Sequence, residues 1–363
     1  MPFQNSSLKV KPLNDEIELV VFGKGVGECI LVHIGDLKYI LVDSFMNPDT
    51  KNPVSLDYLN AMGLGSENIE LVISTHWHKD HTQGLPELMN KNGNTKFVTY
   101  GIITNDTFLK YLKYGTKTED KASNDYVEII NMIMNGKINK DNVKMAVHNK
   151  LLHNYLPGIL SHKKKVEVYS LSPQDSETLD YVLDLKLPDY GEAKTTIVKD
   201  NDISIVTWIQ IDDVVILLGG DLENSSDPSK GWDAIVNKHS ISSLKASIFK
   251  IPHHGSVNGH NDDVWIKLVE DNPISALTSY SSSDLPRDED LERIKSLSFE
   301  TYLCGKLKDN DKDIKKLQKQ INQYGFDSKI TRVSNKIGIS RFRRQLSSPN
   351  WSEEVFGSVQ VFK

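Results

Sequence analysis

Cysteine is scarce: Cys29 and Cys304 are the only two in 363 residues. Two thiols cannot build a disulfide scaffold, and they are too few for a thiolate zinc cage. Long apolar runs are missing as well. Stretches such as 214–218 are far too short to span a bilayer. The first sixteen residues lack the apolar core of a secretory signal, so the chain is expected to be cytoplasmic, with no membrane partner. There is no internal repeat and no low-complexity tract. Positive charge is not in excess either: 43 basic against 49 acidic side chains leave a net charge of −6. That balance excludes a binder that coats nucleic acid with its whole surface. What remains is an ordinary globular mixture, 38% hydrophobic and 25% charged. It is too apolar for a disordered chain and long enough for one large domain with decorations.

Charge is unevenly spread. Residues 101–165 hold eleven lysines, no arginine and six acidic residues, a local charge of +5, so the remainder carries −11. On charge alone this is a solvated helical face, with an anionic substrate as the sharper reading. The order of elements is strands, then helices, then strands. Short β-branched or apolar runs predict strands over 16–22, 28–33, 38–42, 69–74 and 96–100, the first two joined as a hairpin through Gly23 and Gly25. A short helix over 56–62 has Ser55 placed to cap it. The stretch from about 104 to 163, with helical spacing in 125–134, reads as a mostly helical insertion. Strands resume over 166–170, 204–210, 214–218, 246–251, 274–279 and 301–303, with Asp212-Asp213 as a tight hairpin turn. Helices follow over 288–297 and 306–324, and then a late edge strand over 336–340. The Arg341-Phe342-Arg343-Arg344 run reads as an exposed terminal face.

The chemistry concentrates in Ser74-Thr75-His76-Trp77-His78-Lys79-Asp80-His81, where four candidate metal ligands fall within six residues directly after an apolar strand. Alternation in such a turn sends His76 and His78 to one side and leaves Asp80 and His81 for an adjacent side. Imidazole and carboxylate together suit zinc, with manganese as the alternative. Gly219-Gly220-Asp221 follows the run VVILL, and a carboxylate ending a buried strand needs a partner. Lys250-Ile251-Pro252-His253-His254-Gly255-Ser256 follows the run ASIFKI. All three segments follow strands and can converge on one rim.

These segments, with the strand-end Asp43, resemble the metallo-β-lactamase fold superfamily. More narrowly, residues 25–32, 170–173, 201–206 and 250–256 resemble the hydrolase domain attached to competence-type DNA-uptake proteins. The resemblance covers roughly 16–100 and 165–305. It implies an α/β fold, the four-layer αββα sandwich, over residues 1–305 with the helical basic insertion at about 101–165. The region 306–363 would be a helix, an edge strand and a tail packed on the same domain. It also implies that His76 and His78 hold a first metal, that Asp80, His81 and His253 hold a second, that Asp221 bridges them, and that Asp43 orients the histidine loop. His254 would then face the substrate as a catalytic group beside Asp80. The cofactor would be zinc, as two ions or as one. Many members of the superfamily carry another histidine before the bridging aspartate. Here none lies between His162 and His239, which leaves the first site short of a ligand unless His148, His153 or His162 swings in.

The expected chemistry is hydrolysis by a metal-activated water, with Asp80 handling its proton. The insertion's Lys113, Lys117 and Lys163 are candidates to neutralise an anionic substrate, in particular a nucleic-acid backbone. That favours a phosphodiesterase or nuclease. The alternatives are a carbonyl hydrolase on the same metals (a lactonase, thioesterase or β-lactamase-like enzyme) and a binding module that keeps the fold with weak or no catalysis.

Overall fold

A computed structural model describes residues 2–91, 95–115, 124–185, 200–305, 323 and 336–363. In chain order, β1 (Glu16–Gly23), β2 (Glu28–His33), β3 (Tyr39–Val42), β4 (Ile69–Ile73), β5 (Lys96–Tyr100) and β6 (Val143–Ala146) enter one sheet. A second sheet takes β7 (Lys150–Tyr155), β8 (Val166–Ser170), β9 (Thr207–Ile211), β10 (Val214–Leu218), β11 (Ala246–Lys250), β12 (Val269–Thr278) and β13 (Glu300–Cys304). The chain then returns β14 (Gly338–Gln345) and β15 (Ser352–Gly357) to the first sheet and β16 (Val359–Phe362) to the second. The orders are β15-β14-β1-β2-β3-β4-β5-β6 and β16-β13-β12-β11-β10-β9-β8-β7. Both sheets are mixed: β3 to β6 run parallel, as do β10 to β13, and the other neighbours are antiparallel.

Strand β10 shows why these runs are apolar throughout. Val214, Ile216 and Leu218 enter the core shared by the two sheets. Val215 and Leu217 enter a second core on the sheet's other face, with Trp232, Trp265 and Ile294. A strand buried on both faces has no polar side to show. The helices α1 (Val54–Ala61), α2 (Lys79–Thr82), α3 (Leu85–Lys91), α4 (Asp106–Gly115), α5 (Asn124–Met134) and α6 (Asp175–Asp184) precede β9. α7 (Gly231–Lys238), α8 (Asp262–Lys267) and α9 (Asp288–Ser296) come later and supply that second core.

Several expectations change in detail. α1 begins at Val54 after Pro53, whose fixed φ sets the helix entry, so Ser55 is buried inside the helix rather than capping it. The described part of the basic segment is not helix alone. After α4 and α5 it supplies β6 and β7, which extend the two sheets at their edges. The late strand is not an edge: β14 pairs with β1 on one side and β15 on the other. Nor is the arginine run exposed. Arg341 is 2% exposed and pairs with Glu354, while Arg343 pairs with Glu18 at 2.6 Å. Acidic partners on neighbouring strands make a buried guanidinium tolerable there. The helix expected over 306–324 lies outside the described residues save for residue 323. Among the described residues no helix is long and apolar enough to cross a membrane.

Candidate metal centre

The carboxyl ends of parallel strands supply the site. Asp43 follows β3, the 76–81 loop follows β4, Asp221 follows β10, and His253-His254 follows β11. Such ends leave a crevice open to ligands in α/β sheets. Backbone bonds lock the loops together: Ile205 N–H donates to the Thr75 carbonyl across the two sheets (3.0 Å), His253 N–H to Gly220 within the second sheet's end (3.0 Å), and Ser44 N–H to His81 within the first's (2.8 Å). Gly220 has φ 53°, and a Cβ there would lie 2.7 Å from Ser204 Oγ and 2.9 Å from the Ile205 carbonyl, so the turn before Asp221 requires glycine.

Five side chains converge. His76, His81 and Asp221 offer ligand atoms within 4.8 Å of one another, and so do Asp80, His81 and His254. His81 Nε2 stands 3.4 Å from Asp80 and 3.4 Å from Asp221. His254 Nε2 stands 3.7 Å from Asp80 and 3.5 Å from Asp221. His78 adjoins the group, its Nδ1 2.8 Å from His76 Nε2. Each ring is braced on its far nitrogen. His81 Nδ1 meets Asp43 at 2.7 Å, and His76 Nδ1 meets Thr75 Oγ1 at 3.0 Å. His78 Nε2 faces Asp200 at 3.3 Å, and His254 Nδ1 meets Thr278 Oγ1 at 2.9 Å. This is the arrangement that fixes tautomer and orientation in histidine metal sites.

Charge in the cluster is mutually supporting. Burial drives the Asp80 and Asp221 carboxyls up, but the adjacent imidazoles of His81 and His254 outweigh it and hold both well below the carboxylate range. Burial pulls His81 down, yet Asp221, Asp80 and Asp43 hold it well above its ordinary value. For His76 burial wins, helped by His81 and His78, and it is held well below. Both carboxylates are thus ready ligands.

A divalent cation fits this donor set. Among the described residues, His81 Nε2, His254 Nε2 and Asp221 Oδ1 are buried without a hydrogen-bond partner. Buried polar atoms left unpaired on residues of one cluster are explained by a shared cation. The set of imidazole nitrogens and carboxylate oxygens suits zinc.

Between the two neighbouring histidines, the structure brings His254 rather than His253 to the cluster. After Pro252 both residues take positive φ, 47° and 52°. This double left-handed turn delivers the His254 ring beneath Thr278. It swings His253 to the rim, 3.3 Å from Glu223 and 3.3 Å from Asn201. His148, His153 and His162 have partners elsewhere: the Leu171 carbonyl, Lys96 and the Ile34 carbonyl.

The lysines divide. Lys113 lies on α4, a helix whose Tyr111 ring packs edge-on against Trp77 with centroids 5.7 Å apart, so the helix adjoins the 76–81 loop. The Lys113 side chain and Lys117 lie outside the described residues. Lys163 sits at the opposite end of the sandwich. Ser161 binds Asp36 in the β2–β3 turn, and Lys164 binds Asp212 in the β9–β10 turn. Both turns are far from the ends of β3 and β10 that carry Asp43 and Asp221. Beside the cluster a cavity of about 230 Å³ is lined by Glu177, Asp180, Asp184, Asp202 and Glu223, with Lys230 as its cation.

Sequence reasoning missed Asp200, whose second carboxylate oxygen accepts from Tyr181 at 2.8 Å. It also missed Thr75, Thr278, Glu28 and Lys250. The last two had a signal: each is a charged residue at the end of an otherwise apolar strand, and opposite charges buried that way need each other.

A sequence model of the family described as the metallo-beta-lactamase superfamily matches residues 22–127, which include Asp43 and the whole 76–81 loop. Residues 22–127 thus match a metallo-beta-lactamase superfamily domain. The chain's two mixed sheets flanked by helices are the superfamily's sandwich. Among solved structures, it is similar to the metallo-β-lactamase SMB-1 bound to 2-mercaptoethanesulfonate (15% identity, covering 67% of this chain and 80% of that one, TM-score 0.36). A Cronobacter sakazakii metallo-β-lactamase gives 12% identity, 63% and 74% coverage and a TM-score of 0.34. The short form of human tRNase Z gives 12%, 64%, 76% and 0.30. A search of curated proteins finds no match.

Proposed function

We propose that this metallo-beta-lactamase domain is a metal-dependent hydrolase and that the bond it cuts is a phosphodiester. The observation that carries the hydrolase reading is the meeting of His81 and His254 Nε2 with Asp80 and Asp221 at three strand ends. His81, His254, Asp80 and Asp221 would hold one cation, and His76 and His78, with Asp221 shared, a second. Zinc or manganese bound there supplies Lewis acidity, which makes water nucleophilic near neutral pH and draws charge from the oxygen of the bond under attack. The chain's own contribution is position. Asp43 and Thr278 hold two imidazoles with their free nitrogens inward. Asp80 is the more exposed of the two carboxylates, 11% against 5% for Asp221, and is placed to take the attacking water's proton.

Support for a phosphodiester comes from the lysine-rich segment, whose helix α4 packs on the metal loop through Tyr111 and Trp77, together with the likeness to DNA-uptake hydrolase domains. The substrate would then be anionic, with nucleic acid the leading class, and the protein would act in the cytoplasm. The acidic cavity favours a second reading, hydrolysis of a neutral ester, thioester or lactone, because its carboxylates repel a polyanion. Protein loaded with Zn²⁺ or Mn²⁺ is assayed on DNA, RNA, a small phosphodiester, a thioester and a lactone. Cleavage of the first three, lost in His76→Ala and Asp221→Ala, supports the proposal. Cleavage of the last two alone selects the second reading. If wild type and variants are equally inert on all five, the hydrolase reading fails.

A further inference from the structure

Beyond the Thr278 brace of His254, a chain of buried polar groups continues that the chemistry above does not use. His254 Nδ1 meets Thr278 Oγ1 at 2.9 Å, and that hydroxyl donates to Glu28 Oε2 at 2.8 Å. Glu28 Oε1 pairs with Lys250 Nζ at 2.5 Å, and Lys250 Nζ donates to the Gly220 carbonyl at 3.1 Å. Glu28 and Lys250 are both 0% exposed. A fully buried ion pair is weak evidence for stability, since an apolar pair of equal volume often serves as well. This one joins β2 to β11, and its two ends run to His254 and to the residue before Asp221.

We propose that Glu28, Lys250 and Thr278 are positioning residues that set the metal-binding form of His254 and fix the Gly220–Asp221 turn. The proposal rests on the reading of the cluster as a cation site. Its logic is one of donors and acceptors. Thr278 donates its hydroxyl proton to Glu28 Oε2, which turns an oxygen lone pair towards His254. The Nδ1 proton of His254 then has a fixed acceptor, and Nε2 presents its lone pair to Asp80, Asp221 and the cation they share. Lys250 Nζ holds the Glu28 carboxyl in place from its other oxygen. Through the Gly220 carbonyl, the same ammonium holds the turn that aims Asp221. Two donor residues from different strands are thereby set by one ion pair.

The test is zinc affinity of the full chain, measured by calorimetry and chelator competition, with Co²⁺ absorption as the signature of ligand geometry. Thr278→Val keeps shape and ion pair but cuts the relay. It should weaken Zn²⁺ binding by about 10- to 100-fold and shift the Co²⁺ spectrum, and Thr278→Ser should restore both. The double replacement Glu28→Gln with Lys250→Met leaves no lone buried charge and should give the same loss. If Thr278→Val and the double variant bind Zn²⁺ like wild type with an unchanged Co²⁺ spectrum, the positioning role is overturned. If wild type itself binds neither ion, the cation site falls, and the relay with it.

Discussion

Replacing Asp43 by asparagine changes one atom in the brace behind His81. Asp43 is 0% exposed and sits at φ 58°, a conformation asparagine tolerates as well as aspartate, so the backbone is undisturbed. In the native protein Oδ1 accepts from Thr75 N–H at 2.8 Å, while Oδ2 accepts from Thr75 Oγ1–H at 2.7 Å and from His81 Nδ1–H at 2.7 Å. An amide offers one acceptor oxygen for these three donors. If its NH₂ faces His81, the imidazole must carry its proton on Nε2, which blocks the nitrogen aimed at Asp80 and Asp221. If it faces Thr75, a donor opposes a buried donor. A lost hydrogen bond to a charged group is worth about 1.5–3 kcal/mol. That matches the 10- to 100-fold loss typical of second-sphere changes, about 1.4–2.7 kcal/mol. The assay is chemical denaturation with and without zinc. At zinc one hundred times the native Kd, wild type should gain about 2.7 kcal/mol, and a variant binding one hundred-fold more weakly about 0.4 kcal/mol. Equal zinc stabilisation of Asp43→Asn and wild type would refute the bracing role.

Three further outcomes follow from the geometry. His254→Ala should abolish tight zinc binding, whereas His253→Ala should leave metal content unchanged and alter only substrate handling; metal analysis of both proteins decides. Gly220→Ala should cost about 1–3 kcal/mol, read by urea unfolding, because its Cβ meets Ser204 Oγ and the Ile205 carbonyl in a left-handed turn; a stabilised variant would show that the turn relaxes. For pH, burial pushes His33 down to about 4, against its bond to the Glu16 carbonyl. The unfolded chain takes up that proton near 6.5, so this contribution is complete above about 6.5 and lost as pH falls towards 4. Going from pH 7.5 to 5 should remove about 2 kcal/mol, and His33→Gln should flatten that part of the profile.

The metal loop was legible in the sequence because its residues are contiguous and end an apolar strand. Asp43 and Asp221 were legible for the same strand-end reason. The choice between His253 and His254 was not, since it turns on two successive positive φ values after Pro252 that no periodicity reveals. Asp200 escaped because its partner His78 lies 122 positions away. In the fold, the doubly buried strands β4 and β10 stood out by their apolar runs. β6 and β7 were hidden among lysines, as edge strands facing water are. β14 was mistaken for an exposed end because its arginines are buried against Glu18 and Glu354, which are remote in sequence.

The central claim is that His81, His254, Asp80 and Asp221 grip one cation, with His76 and His78 holding a second beside Asp221. The direct measurement is anomalous diffraction at the zinc edge from crystals grown with Zn²⁺. The account predicts a peak about 2.0–2.2 Å from His81 Nε2, His254 Nε2 and a carboxylate oxygen of Asp80 or Asp221. Zinc bound elsewhere, with these six side chains free of it, would contradict the account.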